Sequence, residues 1–509
     1  MSRRVVVIGH GMVGARLADE VRNRDPDGRR VRLTVIGAEP HPAYNRVLLS
    51  TVLAGGTAAR SVALHPDGWA LRRRIDLHTG VSAVSVDRAR RVVHTDDGAA
   101  TPYDEVVLAT GSRAWLPPLA GLTGPDGGPA DGVATFRDLA DCERIQSLAR
   151  PGTRFAVLGG GLLGCEAARG LAGRDVRVTL LHAATHLMER QLDAGAGQVL
   201  AGSLARLGID VRLGVTSSAW EPGRGMRCAD GTLVAADALV VATGVRAETG
   251  LAQRADVAVD RGVLVDDRLA TSDERVYALG DCAQHPGAPA GLVQPGWEQA
   301  AVLADLLTGS APSARYRGTR TVTRLKARDV DLATVGDLAS LDPTVLDPDS
   351  EVMRFSDPAG GRYAALAVRA DRVVGAAVIG LPDAAASVIQ YFDGGIPVAP
   401  DDRLALLLGR VLPAGSGGTT PPAPRETADP GRLPAATVVC RCNTVTKGAL
   451  VAAWRGGATE PGSLARVTRA TTGCGSCGDA VRGICSWLAE SDPPVPGSPP
   501  GAALEEGAA

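Results

Sequence analysis

Val5-Val6-Val7-Ile8-Gly9-His10-Gly11-Met12-Val13-Gly14 decides how the start of this chain is read. Four consecutive branched apolar residues predict a strand buried on both faces. Each glycine that follows has its own use. Gly9 permits a tight turn, Gly11 lets the backbone approach a pyrophosphate, and Gly14 allows a helix to pack closely on the strand. The phosphates of a dinucleotide then lie at the positive end of that helix. A second apolar strand, residues 31–36, is followed by Glu39, whose carboxylate is placed to accept hydrogen bonds from a ribose.

The series recurs downstream. Gly159-Gly160-Gly161-Leu162-Leu163-Gly164 follows an apolar strand and opens a helical stretch with Glu166 in its first turn. The next strand, residues 176–181, ends at His182. An acid at that point would favour NADH and an arginine cluster would hold a 2′-phosphate, and neither stands there. His182 either tolerates both cofactors or is a loop histidine, and the choice leans to NADH. Two βαβ openings imply an α/β chain with two Rossmann-like domains, each a parallel sheet with helices packed on it.

A length of 509 residues allows about three domains at roughly 150 residues each. Beyond residue 315, the alternation in residues 363–369 and 372–379 predicts a small α+β domain with an antiparallel sheet. Residues 412–434 are rich in Pro, Gly, Ser and Thr and read as a flexible linker. A compact cysteine-bearing unit follows over 435–490, and 491–509 read as a disordered tail. A net charge of −2 makes no electrostatic case for nucleic acid or an anionic membrane. No apolar run approaches the ~20 residues that span a bilayer. The N-terminal apolar run breaks at Gly9, too soon for a secretory core, so a cytoplasmic protein is expected.

Nine cysteines scattered through a long chain do not form a secreted disulfide framework. Five (Cys142, Cys165, Cys228, Cys282 and Cys485) read as small buried hydrophobes. The other four form Cys440-Arg441-Cys442, then 31 residues, then Cys474-Gly475-Ser476-Cys477. Thiolates are soft ligands that suit iron–sulfur clusters or zinc. A C-x-C first pair is unusual for zinc ribbons, which more often use C-x₂-C. Gly473, Gly475 and Gly478 leave backbone N–H groups free to bond the sulfurs.

Here the residues carry a family resemblance. Two glycine fingerprints in this order resemble the two-dinucleotide flavoproteins. Ala109-Thr110-Gly111 and Ala242-Thr243-Gly244 look like the strand-end ATG motifs of that group. Val276-Tyr277-Ala278-Leu279-Gly280-Asp281 resembles its second FAD motif, whose aspartate binds the ribityl chain. Val81 matches the position whose backbone meets the adenine. Pro42-Ala43-Tyr44-Asn45-Arg46-Val47-Leu48-Leu49-Ser50 resembles the flavin-contacting segment of the nitrite reductase large subunit, as Met188–Asp193, Trp297–Ala300 and Thr323–Lys326 resemble other parts of it. Related ferredoxin reductases carry a lysine where this chain has Thr51. The cysteine unit is similar to the bacterioferritin-associated ferredoxin type of [2Fe–2S] domain.

The resemblance implies FAD bound by residues 1–150 and 245–314, through Gly9, Gly11, Gly14, Glu39, Arg46, Val81, Thr110, Gly111, Gly280 and Asp281. It implies NAD(P)H bound by 151–244, through Gly159, Gly161, Gly164, Glu166 and Gly244. It also implies a small α+β domain over 315–411 and a [2Fe–2S] cluster on Cys440, Cys442, Cys474 and Cys477. No side chain is nominated as catalytic, since the chemistry belongs to the cofactors. The first flavin domain has no CxxC or CxxxxC pair, so electrons must leave the flavin without a dithiol relay.

The function implied is NAD(P)H-dependent electron transfer to a molybdenum-dependent assimilatory nitrate reductase, as by that enzyme's reductase subunit. The nitrite reductase large subunit continues into a sirohaem and [4Fe–4S] half for which too few cysteines remain here. Alternatives are a reductase for nitrite reductase, ferredoxin, rubredoxin or another soluble acceptor. In a different class stands a zinc-bound cysteine domain that docks or regulates.

Overall fold

Strand Arg3–Ile8 is the middle of a five-stranded parallel sheet. Its neighbours run Val276–Ala278, Glu105–Leu108, Arg3–Ile8, Val31–Gly37 and Ile75–Thr79 across the sheet. Val5, Val6, Val7 and Ile8 are buried, and they share a core with Leu17 and Val21 of helix Met12–Arg24 and Leu303 and Leu307 of helix Val293–Thr308. This is why the strand reads as a continuous apolar run rather than an alternating one. The computed structural model describes residues 2–287, 289, 291–341, 349–410, 430–440, 445–471 and 477–493. They fall into two units that divide between residues 411 and 412.

A second parallel sheet in the first unit repeats the plan. Its order is Val133–Thr135, Ala238–Val241, Arg154–Leu158, Arg177–Leu181 and Ile209–Arg212, with helix Leu162–Ala172 after the fingerprint strand. In both sheets the fingerprint strand is flanked on one side by the strand that follows its helix. On the other side lies the strand that ends in Ala-Thr-Gly. The connections diverge there, leaving a crevice beyond the strands' carboxyl ends, where open α/β sheets bind ligands. The chain crosses between the two sheets twice. The crossing segments Ser112–Ala114 and Val245–Ala247 pair antiparallel.

The second sheet corrects one boundary. Its edge strand Val133–Thr135 lies upstream of residue 151, where the sequence places the start of the NAD(P)-binding domain. Three residues are too few to show a period, and their partner strand is a hundred residues away in the sequence.

The rest of the first unit contains a five-stranded antiparallel sheet in the order Val322–Arg324, Leu332–Gly336, Arg372–Ile379, Arg362–Arg369 and Ser350–Asp357. Helix Pro382–Gly394 packs on it through Val388, Tyr391 and Phe392. Proline at the helix start and left-handed Gly395 after its end set the limits.

In the second unit, strand Val438–Cys440 pairs with Val445–Thr446. Helices Lys447–Arg455, Pro461–Thr468 and Gly478–Ser491 enclose Leu450, Trp454, Leu464, Ile484 and Leu488. Two boundaries read from composition shift here. Of the segment read as linker, residues 412–429 lie outside the described residues, whereas 430–434 belong to this unit. There Lys447 Nζ donates to the carbonyls of Gly431 at 3.2 Å and Leu433 at 2.7 Å. Of the segment read as tail, Ser491 ends the last helix, and the Asp492 carbonyl accepts from Trp454 Nε1 at 2.8 Å. Residues 494–509 lie outside the described residues. No helix among the described residues is long and apolar enough to cross a membrane.

Candidate functional site

The two glycine turns have the same division of labour. A Cβ on Gly9 would stand 2.1 Å from the Ala109 carbonyl oxygen, and one on Gly14 would stand 1.9 Å from that of Gly9. The corresponding approaches are 2.5 Å for Gly159 to Ala242 and 1.8 Å for Gly164 to Gly159. These glycines exist for backbone packing. The middle ones do not, because nothing lies within 4 Å of a Cβ on Gly11 or Gly161. Each is also the N-cap of its helix, with no side chain bonded to the first N–H groups. Among the described residues each helix therefore starts with N–H donors that no side chain caps, beside a glycine whose side-chain space is open, a cradle that fits a pyrophosphate.

The strand-end threonines stitch the two crossings together. Thr110 Oγ1 donates to the Glu248 carbonyl at 2.7 Å, and Thr243 Oγ1 donates to that of Trp115 at 2.8 Å. Gly111 and Gly244 lie between them at φ of 72° and 113°, which glycine adopts without strain.

Beside the first turn, Glu39 accepts from the Tyr44 hydroxyl at 2.6 Å and pairs with Arg46. Arg46 also donates to the carbonyl of Arg137 at 3.2 Å. Arg137 pairs with Asp281 at 2.6 Å, and Ser112 Oγ donates to the same carboxylate oxygen at 2.9 Å. Val81 donates its N–H to the Gly37 carbonyl at 3.1 Å, at the end of the second strand. Buried side-chain nitrogens near this turn with no hydrogen-bond partner among the described residues include Trp297 Nε1 and both nitrogens of the His10 ring, which burial and then His65 push down to about 4.

Arg46, Ser50, Phe136, Arg137, Leu163 and Glu166 line one cavity. Glu166 is 5% exposed, and its Oε1 accepts the Lys326 N–H at 2.8 Å. Burial pushes its carboxyl up to about 7. Ser50 Oγ donates to the Lys326 carbonyl at 3.1 Å. Four segments distant in sequence thus meet at one wall. Thr51, in the place of a possible lysine, donates to the Leu48 carbonyl at 2.7 Å. Sequence reasoning missed Ser112, Phe136 and Arg137, which belong to no glycine motif.

In the second unit Cys440 and Cys477 are both buried. The Thr471 N–H donates to Cys477 Sγ at 3.2 Å, and Cys477 is the N-cap of helix Gly478–Ser491. A backbone donor and a helix N-terminus both favour a thiolate, so the donor chemistry fits a cluster. Cys442 and Cys474 lie outside the described residues.

Residues 3–303 match the family described as pyridine nucleotide-disulphide oxidoreductase. The chain belongs to this family. Residues 438–486 match a BFD-like [2Fe–2S] binding domain, which decides between the metals that cysteine spacing leaves open. FAD, NAD(P)H and a [2Fe–2S] cluster are thus the cofactors of this pyridine nucleotide-disulphide oxidoreductase.

The chain is 32% identical over 96% of its length to a nitrite reductase (NAD(P)H) of Bacillus subtilis. It is 31% identical over 98% of its length to the assimilatory nitrate reductase electron transfer subunit of the same organism. It spans 58% and 61% of those two proteins. Among solved structures, the covalent putidaredoxin reductase–putidaredoxin complex superposes with a TM-score of 0.70 at 25% identity, covering 80% of this chain and 95% of that one. Despite the family's name, Cys142, Cys165, Cys228 and Cys282 of the first unit form no disulfide.

Proposed function

We propose that this chain takes hydride from NAD(P)H onto FAD and passes the electrons singly through its [2Fe–2S] centre to a molybdenum-dependent assimilatory nitrate reductase. The observation that carries this reading is the pair of open, uncapped glycine turns in one unit, joined in sequence to a thiolate unit in the other. Bound FAD supplies the conversion between two-electron hydride and the single electrons a [2Fe–2S] cluster accepts.

The chain's own residues bind and orient. The N–H groups that open at Gly11 and Gly161 hold the two pyrophosphates. Glu39, positioned by Tyr44 and Arg46, accepts from the FAD ribose. Asp281, steadied by Arg137 and Ser112, holds the ribityl chain. Glu166 presents a buried carboxyl that holds a proton near neutrality beside the cavity wall. Cys440, Cys442, Cys474 and Cys477 ligate the cluster. The reading places the protein in the cytoplasm, where thiolates stay reduced.

The similarity to the electron transfer subunit along nearly the whole chain supports nitrate reductase as acceptor. The equal similarity to a nitrite reductase supports a second reading, electron supply to nitrite reduction. Anaerobic reduction of the purified protein by NADH or NADPH, followed by addition of nitrate reductase and nitrate, separates them. Bleaching followed by reoxidation and nitrite formation is expected. Reoxidation only with a nitrite reductase and nitrite would favour the second reading. A protein that neither nicotinamide bleaches would defeat both.

A further inference from the structure

The second glycine turn has a built edge that fingerprint residues alone do not explain. Strand Arg177–Leu181 ends where the ribose next to a turn-bound pyrophosphate lies, and the next residue is His182. His182 is 8% exposed and packs against the turn itself. A Cβ on Gly160 would stand 2.7 Å from His182 Cγ and 2.5 Å from Leu187 Cδ2.

The Gly160 N–H donates to His182 Nδ1 at 3.1 Å. A backbone N–H can only donate, so Nδ1 is the acceptor and the ring proton sits on Nε2. Nε2 is 3.0 Å from Glu189 Oε2 and donates to it. The segment carrying Glu189 is registered on the same glycine from the other side, because the Met188 N–H donates to the Gly160 carbonyl at 2.9 Å. Met188 is fully buried at a φ of 52°, a conformation this side chain adopts only when its surroundings impose it. Glu189 itself is 40% exposed. No arginine or lysine pairs with it among the described residues, so its second oxygen is open to a ligand.

We infer that Glu189, aimed by His182, reads the adenosine ribose of the nicotinamide cofactor and selects a free 2′-hydroxyl over a 2′-phosphate. A carboxylate accepts hydrogen bonds from a ribose diol and repels a phosphate dianion. The histidine stands where an acid would stand and carries that role one residue contact outward, so the strand end alone looks undecided. The inference rests on the assignment of the second turn to NAD(P)H and adds its donor, NADH. His182 is a positioning residue.

Direct binding tests this without turnover. ADP-ribose and 2′-phospho-ADP-ribose are titrated calorimetrically into the oxidised, FAD-loaded full chain, with flavin content as the check on folding. The wild type is expected to bind ADP-ribose more tightly, and Glu189→Gln to shrink the ratio of the two affinities on the order of tenfold. His182→Ala should shrink it similarly, and the double variant no further than Glu189→Gln alone, since both act through one carboxylate. An unchanged ratio in Glu189→Gln, with ADP-ribose still bound, overturns the inference and leaves the nicotinamide site standing. A wild-type ratio in His182→Ala overturns the aiming role. Failure of both ligands to bind the wild type overturns the inference together with the assignment of the turn.

Discussion

Gly11 and Gly14 stand three residues apart in one turn and obey different constraints. Side-chain space at Gly11 is open, while at Gly14 it is filled by the Gly9 carbonyl. Gly11→Trp is therefore expected to keep native circular dichroism and to purify without flavin absorbance. Gly14→Ala must push the helix off its strand and is expected to cost about 2–3 kcal/mol in urea unfolding. A fully flavinated Gly11→Trp protein would show that the first turn is not the pyrophosphate cradle. Glu166 gives a pH prediction. Its folded pKa lies above the unfolded value, so the native state binds the extra proton, and stability is lost as pH rises from about 4.5 through about 7. Glu166→Gln keeps an acceptor for the Lys326 N–H and removes the titration. Relative to wild type it should gain stability at pH 8, by at most about 3 kcal/mol, and little at pH 4.5. An equal difference at both pH values would contradict this. The glycines and Asp281 are legible in sequence because a turn demands them. Arg137 is not, because what gives it meaning is a carboxylate 144 residues away.

At the scale of elements, periodicity and turn residues locate both fingerprint strands, their helices and two of the five strands of the antiparallel sheet to within two residues. Long apolar runs and strict alternation report burial directly. What composition misreads are segments whose order comes from a distant partner. Strand Val133–Thr135 is held by Ala238–Val241, and residues 430–434 receive two hydrogen bonds from the Lys447 ammonium. Lys447 is 7% exposed, donates to two carbonyls of that segment and lies 4.6 Å from the Trp487 ring centroid. Lys447→Met keeps the aliphatic stem and removes the charge-assisted bonds. It is expected to destabilise the second unit by about 2 kcal/mol, seen as a lower midpoint for loss of cluster absorbance on heating. The flavin transition of the first unit should not move. An unchanged cluster midpoint would mean that the helices alone carry the unit.

For the whole molecule, the account joins a unit that accepts hydride to a unit that holds sulfur ligands. None of the first unit's cysteines forms a disulfide that could do the second unit's work. That order was legible in the sequence from the motifs and the missing dithiol. The acceptor was not, since docking surfaces leave no periodic signal. The central claim is that electrons leave through the cluster, and Cys477→Ala in the full chain tests it most directly. The substitution removes a thiolate and the sulfur that accepts the Thr471 N–H, so the cluster should be lost or labile. With its own core, the first unit should retain FAD, be bleached anaerobically by NADH and reduce small dyes at close to the wild-type rate. Reduction of the protein acceptor, followed in the same samples, should collapse. If Cys477→Ala lacks its cluster and still reduces the acceptor at the wild-type rate, electrons do not leave this way, and the cysteine unit is a docking or regulatory element.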